Sequence, residues 1–363
     1  MKKRISFAFN HLQYSDGVAR AAIGIANLLS ERDDIQVILR PIYHVDKSVM
    51  SILASNVVVK PVLGFYFSGM SRILNRLPGA LLHKLVFGMK ESDIEIGFQH
   101  GTATRAVVSG TKKNAYRMVW VHGYDERLTL RKYYLRADKV VCVSKSNADK
   151  LKHDLGMGAD NSRVDYCYNP IDNHEVEKLG KESADLPAYS GVRMITVGRL
   201  SPEKGYLRLL HALSRLKHEG FLFQMIFVGD GPQKEELLQC TKDMGLSECV
   251  IFAGAQSNPH KYTAKADVFI CSSFAEGYST SCTEAVMLGV PVVSTQVSGA
   301  EEIIESAESG LVVENTEDGL YENLKKILED PEVICRWKET LQNSKYNFSV
   351  EKRSLKLKEL LEI

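Results

Sequence analysis

Met194-Ile195-Thr196-Val197-Gly198-Arg199-Leu200-Ser201-Pro202-Glu203-Lys204-Gly205 decides the reading of this chain. An apolar run of strand length ends on a glycine. Ser201 then has the position of an N-cap and Pro202 that of a first helical residue, which opens a helix near 202–218. A strand leading straight into a helix is half of a β-α unit, and the same rhythm continues in both directions. C-terminally it repeats at Phe223–Val228, Val250–Phe252, Val268–Cys271 and Pro291–Ser294, with helical patterns between. N-terminally it is found at Ile5–Phe9, Val37–Leu39, Ile94–Phe98, Arg117–Val121, Lys139–Val143 and Val164–Cys167. The matching helices are read near 16–30, 71–89, 102–109, 126–136 and 145–155. Two successive β-α series imply an α/β chain with two doubly wound, Rossmann-like parallel-sheet domains. The polar stretch 171–191, with Asp172, Asn173, Gly180, Pro187 and Gly191, reads as a linker between domains at 1–170 and 192–348. Two final helices follow, near 332–345 and 349–361. The last of them, about 349–363, is expected to pack back on the first domain.

Composition narrows the class. At 363 residues, 44% apolar and 25% charged, the chain is neither disordered nor fibrous. No apolar run reaches the roughly 18–20 residues of a membrane span. The basic start, Met1-Lys2-Lys3-Arg4, runs into a first strand that ends at Asn10-His11, unlike a signal peptide. Seven cysteines form no Cys-x-x-Cys pair and sit mostly in apolar stretches, as expected of reduced, buried thiols in a cytosolic protein. Net charge is +1, but residues 1–170 hold 25 Lys+Arg against 15 Asp+Glu, and the remainder holds 21 against 30. The two halves are therefore expected to meet different partners. Within 60–90, Lys60, Arg72, Arg76, Lys84 and Lys90 alternate with aromatic and aliphatic residues and no acid. Such a stretch suits an anionic membrane surface, or equally a helix packed on its own domain with its lysines in solvent.

In open parallel sheets ligands bind beyond the carboxyl ends of the strands, so the residues just after each strand carry the chemistry. Arg199 and Lys204 flank the helix start after Val197, where two cations can hold a pyrophosphate without a metal. A solvated, well-capped loop explains them too. Gly229-Asp230-Gly231 lacks the third glycine of a dinucleotide fingerprint and reads as a ligand-approach turn or a plain β-α turn. The richest segment is Phe274-Ala275-Glu276-Gly277-Tyr278-Ser279-Thr280-Ser281-Cys282-Thr283-Glu284. Its helix-start amides can hold a phosphate and its two acids can accept bonds from hydroxyls. Ser281-x-x-Glu284 also has the form of a capping box, which would account for Glu284 but not Glu276. Ser298-Gly299-Ala300 opens another helix that can border the same pocket. In the first half, Ser15-Asp16-Gly17 leads into a helix, and Trp120-Val121-His122 places His122 just past a strand, where it is either structural or part of a site.

Together these pieces resemble glycosyltransferase family 4, retaining sugar transferases of GT-B architecture with two Rossmann-like domains facing a central cleft. The residues that carry the resemblance are Gly198-Arg199-x4-Lys204-Gly205, Glu276-x7-Glu284, Gly289-Val290-Pro291-Val292-Val293 and Ser298-Gly299-Ala300-Glu301-Glu302. Trp120-Val121-His122 is similar to a strand end in members that build capsule, exopolysaccharide or lipopolysaccharide. The resemblance implies that Arg199 and Lys204 bind the donor diphosphate, Glu284 the ribose, and Glu276 the donor sugar. It further implies that the Gly277, Tyr278 and Ser279 backbone, with Thr280 and Gly198, lines the donor, that His122 faces the reacting centre, and that Gly17 belongs to a loop near the donor phosphates. The family often has a Gly-Gly pair where this chain has Asp16-Gly17.

The implied reaction moves a hexose-type sugar from a nucleotide diphosphate, UDP foremost, to a glycan or polyprenyl-diphosphate-linked acceptor. Closure over the donor would exclude water. No Asp-x-Asp is present, so neither a divalent cation nor a cofactor is expected, and nucleic acid is not expected as a partner. Other readings are a hydrolysing UDP-sugar epimerase, a nicotinamide oxidoreductase (which would need a glycine fingerprint absent from 10–24), and a transferase-like binding subunit without activity.

Overall fold

Apolar, β-branched runs too short for buried helices form the strands of two sheets. The computed structural model describes residues 2–13, 17–89, 92–110, 115–123 and 129–363. The first sheet holds β1 (Lys3–Leu12), β2 (Ile35–Val45), β3 (Val58–Val59), β4 (Ile94–Gly97), β5 (Tyr116–Val121), β6 (Lys139–Cys142) and β7 (Val164–Tyr166), in the order β3-β2-β1-β4-β5-β6-β7. The second holds β8 (Val192–Val197), β9 (Phe223–Val228), β10 (Val250–Gly254), β11 (Val268–Cys271), β12 (Val292–Thr295) and β13 (Gly310–Val313), ordered β10-β9-β8-β11-β12-β13. Every strand pairing is parallel. In each sheet the chain runs outward one way, returns to the centre, and runs outward the other way. The reversals fall between β1 and β4 and between β8 and β11, the places where such sheets bind ligands.

The chain divides into two compact units, Met1–Pro170 with Ser354–Ile363, and Ile171–Arg353. Within the first unit, the Lys3 ammonium donates to the Leu361 carbonyl at 2.7 Å, and Lys356 pairs with Asp165 at 3.2 Å. In the second, the helix Tyr206–His218 buries Leu209, Leu213 and Leu216 at helical spacing against Met225 and Phe227 of β9. Each such leucine contributes on the order of 2 kcal/mol by leaving water.

Several elements differ from the sequence reading. β3 and β13 were not expected. β3 is two residues long, and β13 starts on a glycine, so neither has the apolar length that marks a strand. The helix expected over 71–89 is two helices, Met70–Leu74 and Gly79–Phe87, because Pro78 cannot continue the first and instead caps the second. The stretch read as a linker carries a helix, Asn173–Gly180, whose first amides are capped by the Asp172 carboxylate. Of the helix expected near 126–136, only Arg131–Tyr134 is helical among the described residues. Lys90, Ser15 and Asp16 lie outside the described residues.

Candidate active site

The loop leaving β8 is pressed onto the loop leaving β11. Pro202–Lys204 is a single 3-10 turn, not the first turn of a long helix, and Tyr206–His218 starts after Gly205. Gly205 has φ +64, and a Cβ there would lie 2.2 Å from the Ser272 carbonyl oxygen, so only glycine fits. The Ser272 hydroxyl donates to the Lys204 carbonyl at 2.8 Å, and the Phe274 amide donates to the Glu203 carbonyl at 2.8 Å. This register sets the Lys204 ammonium 2.6 Å from Glu276 Oε1, which also accepts the Ser273 hydroxyl at 2.6 Å. Both side chains of the pair are largely buried. Burial works against the Lys204 charge, but the Glu276 carboxylate outweighs it and raises the lysine above its ordinary pKa. Gly198 leaves room for the Tyr206 phenol, whose hydroxyl oxygen would lie 2.8 Å from a Cβ there.

Arg199, in the same loop as Lys204, is exposed. Among the described residues its guanidinium makes no hydrogen bond or ion pair. Nearby Glu203 is held below the usual carboxylate range, first by the Ser201 hydroxyl and more weakly by Lys204 and Arg199. The switch point thus presents one paired and one unpaired cation, which together can grip a polyanion.

The helix Thr280–Met287 is capped by Ser279, whose side chain accepts from the Cys282 amide at 3.3 Å. That overturns the capping box: Ser281 lies inside the helix, and Glu284 is not needed at its start. The Glu284 carboxylate instead lies 4.0 Å from His260 Nδ1, with both side chains mostly buried. Thr280 is the first helical residue and, like Gly277, is half-buried. Tyr278 turns inward: its ring is buried and its hydroxyl accepts from Arg353 at 2.7 Å. The Tyr278 side chain is thus taken up in packing within the second unit.

Gly229 and Gly231 do not serve ligand approach. Their Cβ positions would fall 1.9 Å from the Gly198 oxygen and 2.3 Å from the Leu200 oxygen. They let the β9 loop pack under the β8 loop, joined by Leu200 N to Asp230 O at 3.0 Å and Gln233 N to Leu200 O at 2.9 Å.

Sequence reasoning missed Arg208. It is buried, and it donates to the Ser272 carbonyl at 2.6 Å, the Ser273 carbonyl at 2.8 Å and Asn315 Oδ1 at 2.7 Å. Its guanidinium also lies 3.9 Å from the Phe274 ring centre. It pins the segment that positions Glu276. The signal was present: Arg208, Ala212 and Leu216 follow one another at i, i+4, i+8 on a buried face, where an arginine needs several acceptors.

The strand ends of the first unit are different in kind. The Asn10 amide donates to Gln99 Oε1 at 2.8 Å, and the Asn10 side chain donates to the His100 carbonyl at 2.8 Å. These residues close the β1/β4 switch point and were also missed, because no cation or glycine motif marks them. His122 follows β5, its ring centre 4.5 Å from that of Phe98. Its Nε2 is shut off from solvent with no hydrogen-bond partner among the described residues. Burial, helped by nearby His100, lowers its pKa to about 3 against a bond to the Phe98 backbone, so the ring is neutral. Gly17 opens the helix Gly17–Ser30 with open space at its Cβ position. Among the described residues no group of three or more His, Cys, Asp or Glu is placed to hold a metal ion.

Known proteins share both the sequence of this second unit and the fold of the whole. Residues 188–344 match the family described as Glycosyl transferases group 1. This segment is a glycosyl transferases group 1 domain. The Campylobacter jejuni N-acetylgalactosamine-N,N'-diacetylbacillosaminyl-diphospho-undecaprenol 4-alpha-N-acetylgalactosaminyltransferase is 32% identical over 207 residues, covering 56% of this chain and 54% of that protein. A lipopolysaccharide core biosynthesis glycosyltransferase of Rhizobium meliloti is 26% identical over 218 residues, covering 60% of each. The chain thus spans little more than half the length of these relatives. The structure of Anabaena HepE in complex with UDP superposes with a TM-score of 0.76 at 18% identity, covering all of both chains. The fold is GT-B, built from two doubly wound parallel sheets. Arg199, Lys204, Glu276 and Glu284 all lie within this segment; Lys204 and Glu276 are in contact, whereas Glu284 faces His260.

Proposed function

We propose that the chain is a retaining glycosyltransferase of family 4, moving a hexose-type sugar from UDP to a glycan or polyprenyl-diphosphate-linked acceptor in cell-surface polysaccharide synthesis. The observation that carries the reading is the Lys204–Glu276 pair, with exposed Arg199 in the same loop as Lys204, at the switch point of the group 1 domain. Arg199 and Lys204 hold the donor diphosphate and stabilise the charge that grows on it as the sugar leaves. Glu276, anchored by Lys204 and Ser273, keeps its carboxylate toward the sugar hydroxyls. Glu284 accepts from the ribose, and the amides from Gly277 to Thr280 face the phosphates and sugar, with Gly198 bordering them. The first unit takes the acceptor, with the neutral His122 ring at the end of β5.

The acceptor hydroxyl attacks the anomeric carbon on the face the leaving phosphate departs from, and a phosphate oxygen takes its proton. The carbon–oxygen bond to the nucleotide breaks, the new glycosidic bond forms, and configuration is retained. Charge at the leaving group comes from Arg199 and Lys204, so no divalent cation is invoked. The UDP in the HepE structure and the diphospho-undecaprenol in the Campylobacter protein's name support the choice of donor and acceptor. The reaction belongs at the cytoplasmic face of the membrane.

Labelled nucleotide sugars incubated with and without lipid-linked acceptors, with and without EDTA, test this. Acceptor-dependent, EDTA-insensitive product of unchanged anomeric configuration is expected. Free UDP with an epimerised sugar and no need of an acceptor would instead identify an epimerase, and donor binding without turnover a binding subunit.

A further inference from the structure

The sequence left two readings of residues 60–90, a membrane-facing stretch or a helix packed on its own domain. The structure accounts for the inner side. Met70 and Leu74 of the first short helix, and Leu82, Val86 and Phe87 of the second, are buried in the core of the first unit. The outer side is apolar as well. Ile73, Leu81 and Leu85 point outward at 55%, 51% and 40% exposure, and Phe65 and Phe67 are about half exposed. Fifteen large apolar side chains are exposed among the described residues, and nine of them lie between Met50 and Met89. That concentration is a patch, unlike the scattered apolar residues of an ordinary surface.

Its charge is one-sided. Residues 47–90 contain no Asp or Glu, and Lys47, Lys60, Arg72, Arg76 and Lys84 are all exposed. A second copy of this surface would set these cations against themselves, so self-association is disfavoured. A partner that is both anionic and apolar remains. No helix among the described residues is long and apolar enough to cross a bilayer. Side chains of this kind sit at the headgroup boundary, with aromatics at the interface and cations on the phosphates.

We infer that the surface between Met50 and Met89 docks on anionic lipid bilayers. The patch also reaches the site. Tyr66 stacks edge-on against His11 at 5.0 Å and against Tyr43 at 5.2 Å, near the carboxyl ends of β1 and β2. The docking surface therefore borders the strand ends to which the proposed function assigns the acceptor, and in that respect rests on it. A lipid-linked acceptor reaches those strand ends without leaving the bilayer.

Flotation of the full chain with vesicles tests the docking, without donor or acceptor. Binding is expected to vesicles of equal parts phosphatidylcholine and phosphatidylglycerol, to weaken with salt, and to be absent with phosphatidylcholine alone. The pairs Phe65→Ser/Phe67→Ser and Arg72→Glu/Arg76→Glu should each lower the bound fraction about tenfold. Their fold, read by circular dichroism, should be unchanged because all four side chains are exposed. Equal binding to neutral vesicles, no binding, or variants that float like the parent chain would overturn the inference. So would self-association in sedimentation that the same variants abolish, which would give the surface to a second copy. A chain that floats but transfers no sugar sinks only the proposed function, and a transferase that ignores vesicles sinks only the docking.

Discussion

The carboxyl ends of the two sheets carry different kinds of group. At the β8/β11 switch point the second unit presents charge: Arg199 exposed, and Lys204 held cationic by Glu276. At the ends of β1, β4 and β5 the first unit presents Asn10, His11, His100 and His122, with His122 kept neutral by burial. Charged groups preorganised in pairs suit a ligand that carries its own charge. A neutral imidazole and amides suit hydroxyls, which a fixed charge would bind without discrimination. The largest expected effect follows from the charged end. Arg199→Ala and Lys204→Ala should each lower kcat by about 10²–10³-fold, the usual cost of removing a donor that stabilises developing charge. Single-turnover kinetics on saturated enzyme would show it. Near-parental turnover in both variants would end the contrast between the two sheets.

The two cations should nevertheless differ in stability. Arg199 touches no described partner, so its removal should leave unfolding unchanged. Lys204→Ala leaves the Glu276 carboxylate largely buried and short of its ion pair, a loss on the order of 2 kcal/mol. Arg208→Ala should cost more, about 3 kcal/mol, because three acceptors around Ser272, Ser273 and Asn315 lose one buried cation. Urea unfolding measures both. An Arg208→Ala chain as stable as its parent would show that the loop before Glu276 is held by something else.

The same contrast explains what could be read from the sequence. Gly198-Arg199-x4-Lys204-Gly205 and Glu276-x7-Glu284 are local in sequence, chemically loud, and each lies in one loop after one strand. Their convergence follows from the doubly wound order, because β8 and β11 are neighbours across the reversal. Arg208 and Asn315 were silent because their roles are non-local: they are 107 residues apart and act on a third segment. The capping box misled because Ser279 and Ser281 are equally good caps by residue type, and only the backbone of Tyr278 and Ser279 decides between them. In the first unit the neutral groups carry no spacing rule at all. Only His122 stood out, by its place after an apolar run.

Glu284 sharpens the charged half of the comparison by a smaller step. Freed from capping, it is set 4.0 Å from His260 and accepts hydroxyls in the proposed function. Glu284→Gln keeps the shape and removes the charge, so UDP affinity measured by calorimetry should fall about tenfold, the worth of one charge-assisted bond. The fall should vanish for a ligand lacking the ribose hydroxyls. An equal loss for both ligands would place Glu284 on the phosphates instead.

A pH-dependent effect tests the neutral half. With a pKa of about 3, His122 stays uncharged from pH 8 to pH 5, whereas in the unfolded chain it takes up a proton near 6.5. The unfolded state then binds more protons than the folded one, so His122 favours folding above pH 6.5, and that contribution drains away as pH falls toward 3. The slope is at most about 1.4 kcal/mol per pH unit. Comparing urea unfolding of the parent and His122→Gln at pH 7 and pH 5 isolates it from the other histidines. The parent should lose more on acidification, and its His122 ring resonances should not move over that range. A ring that titrates near pH 6.5 would carry a positive charge into the β5 strand end. The first sheet would then offer the same kind of group as the second, and division of labour by charge could no longer explain why the two ends are built so differently.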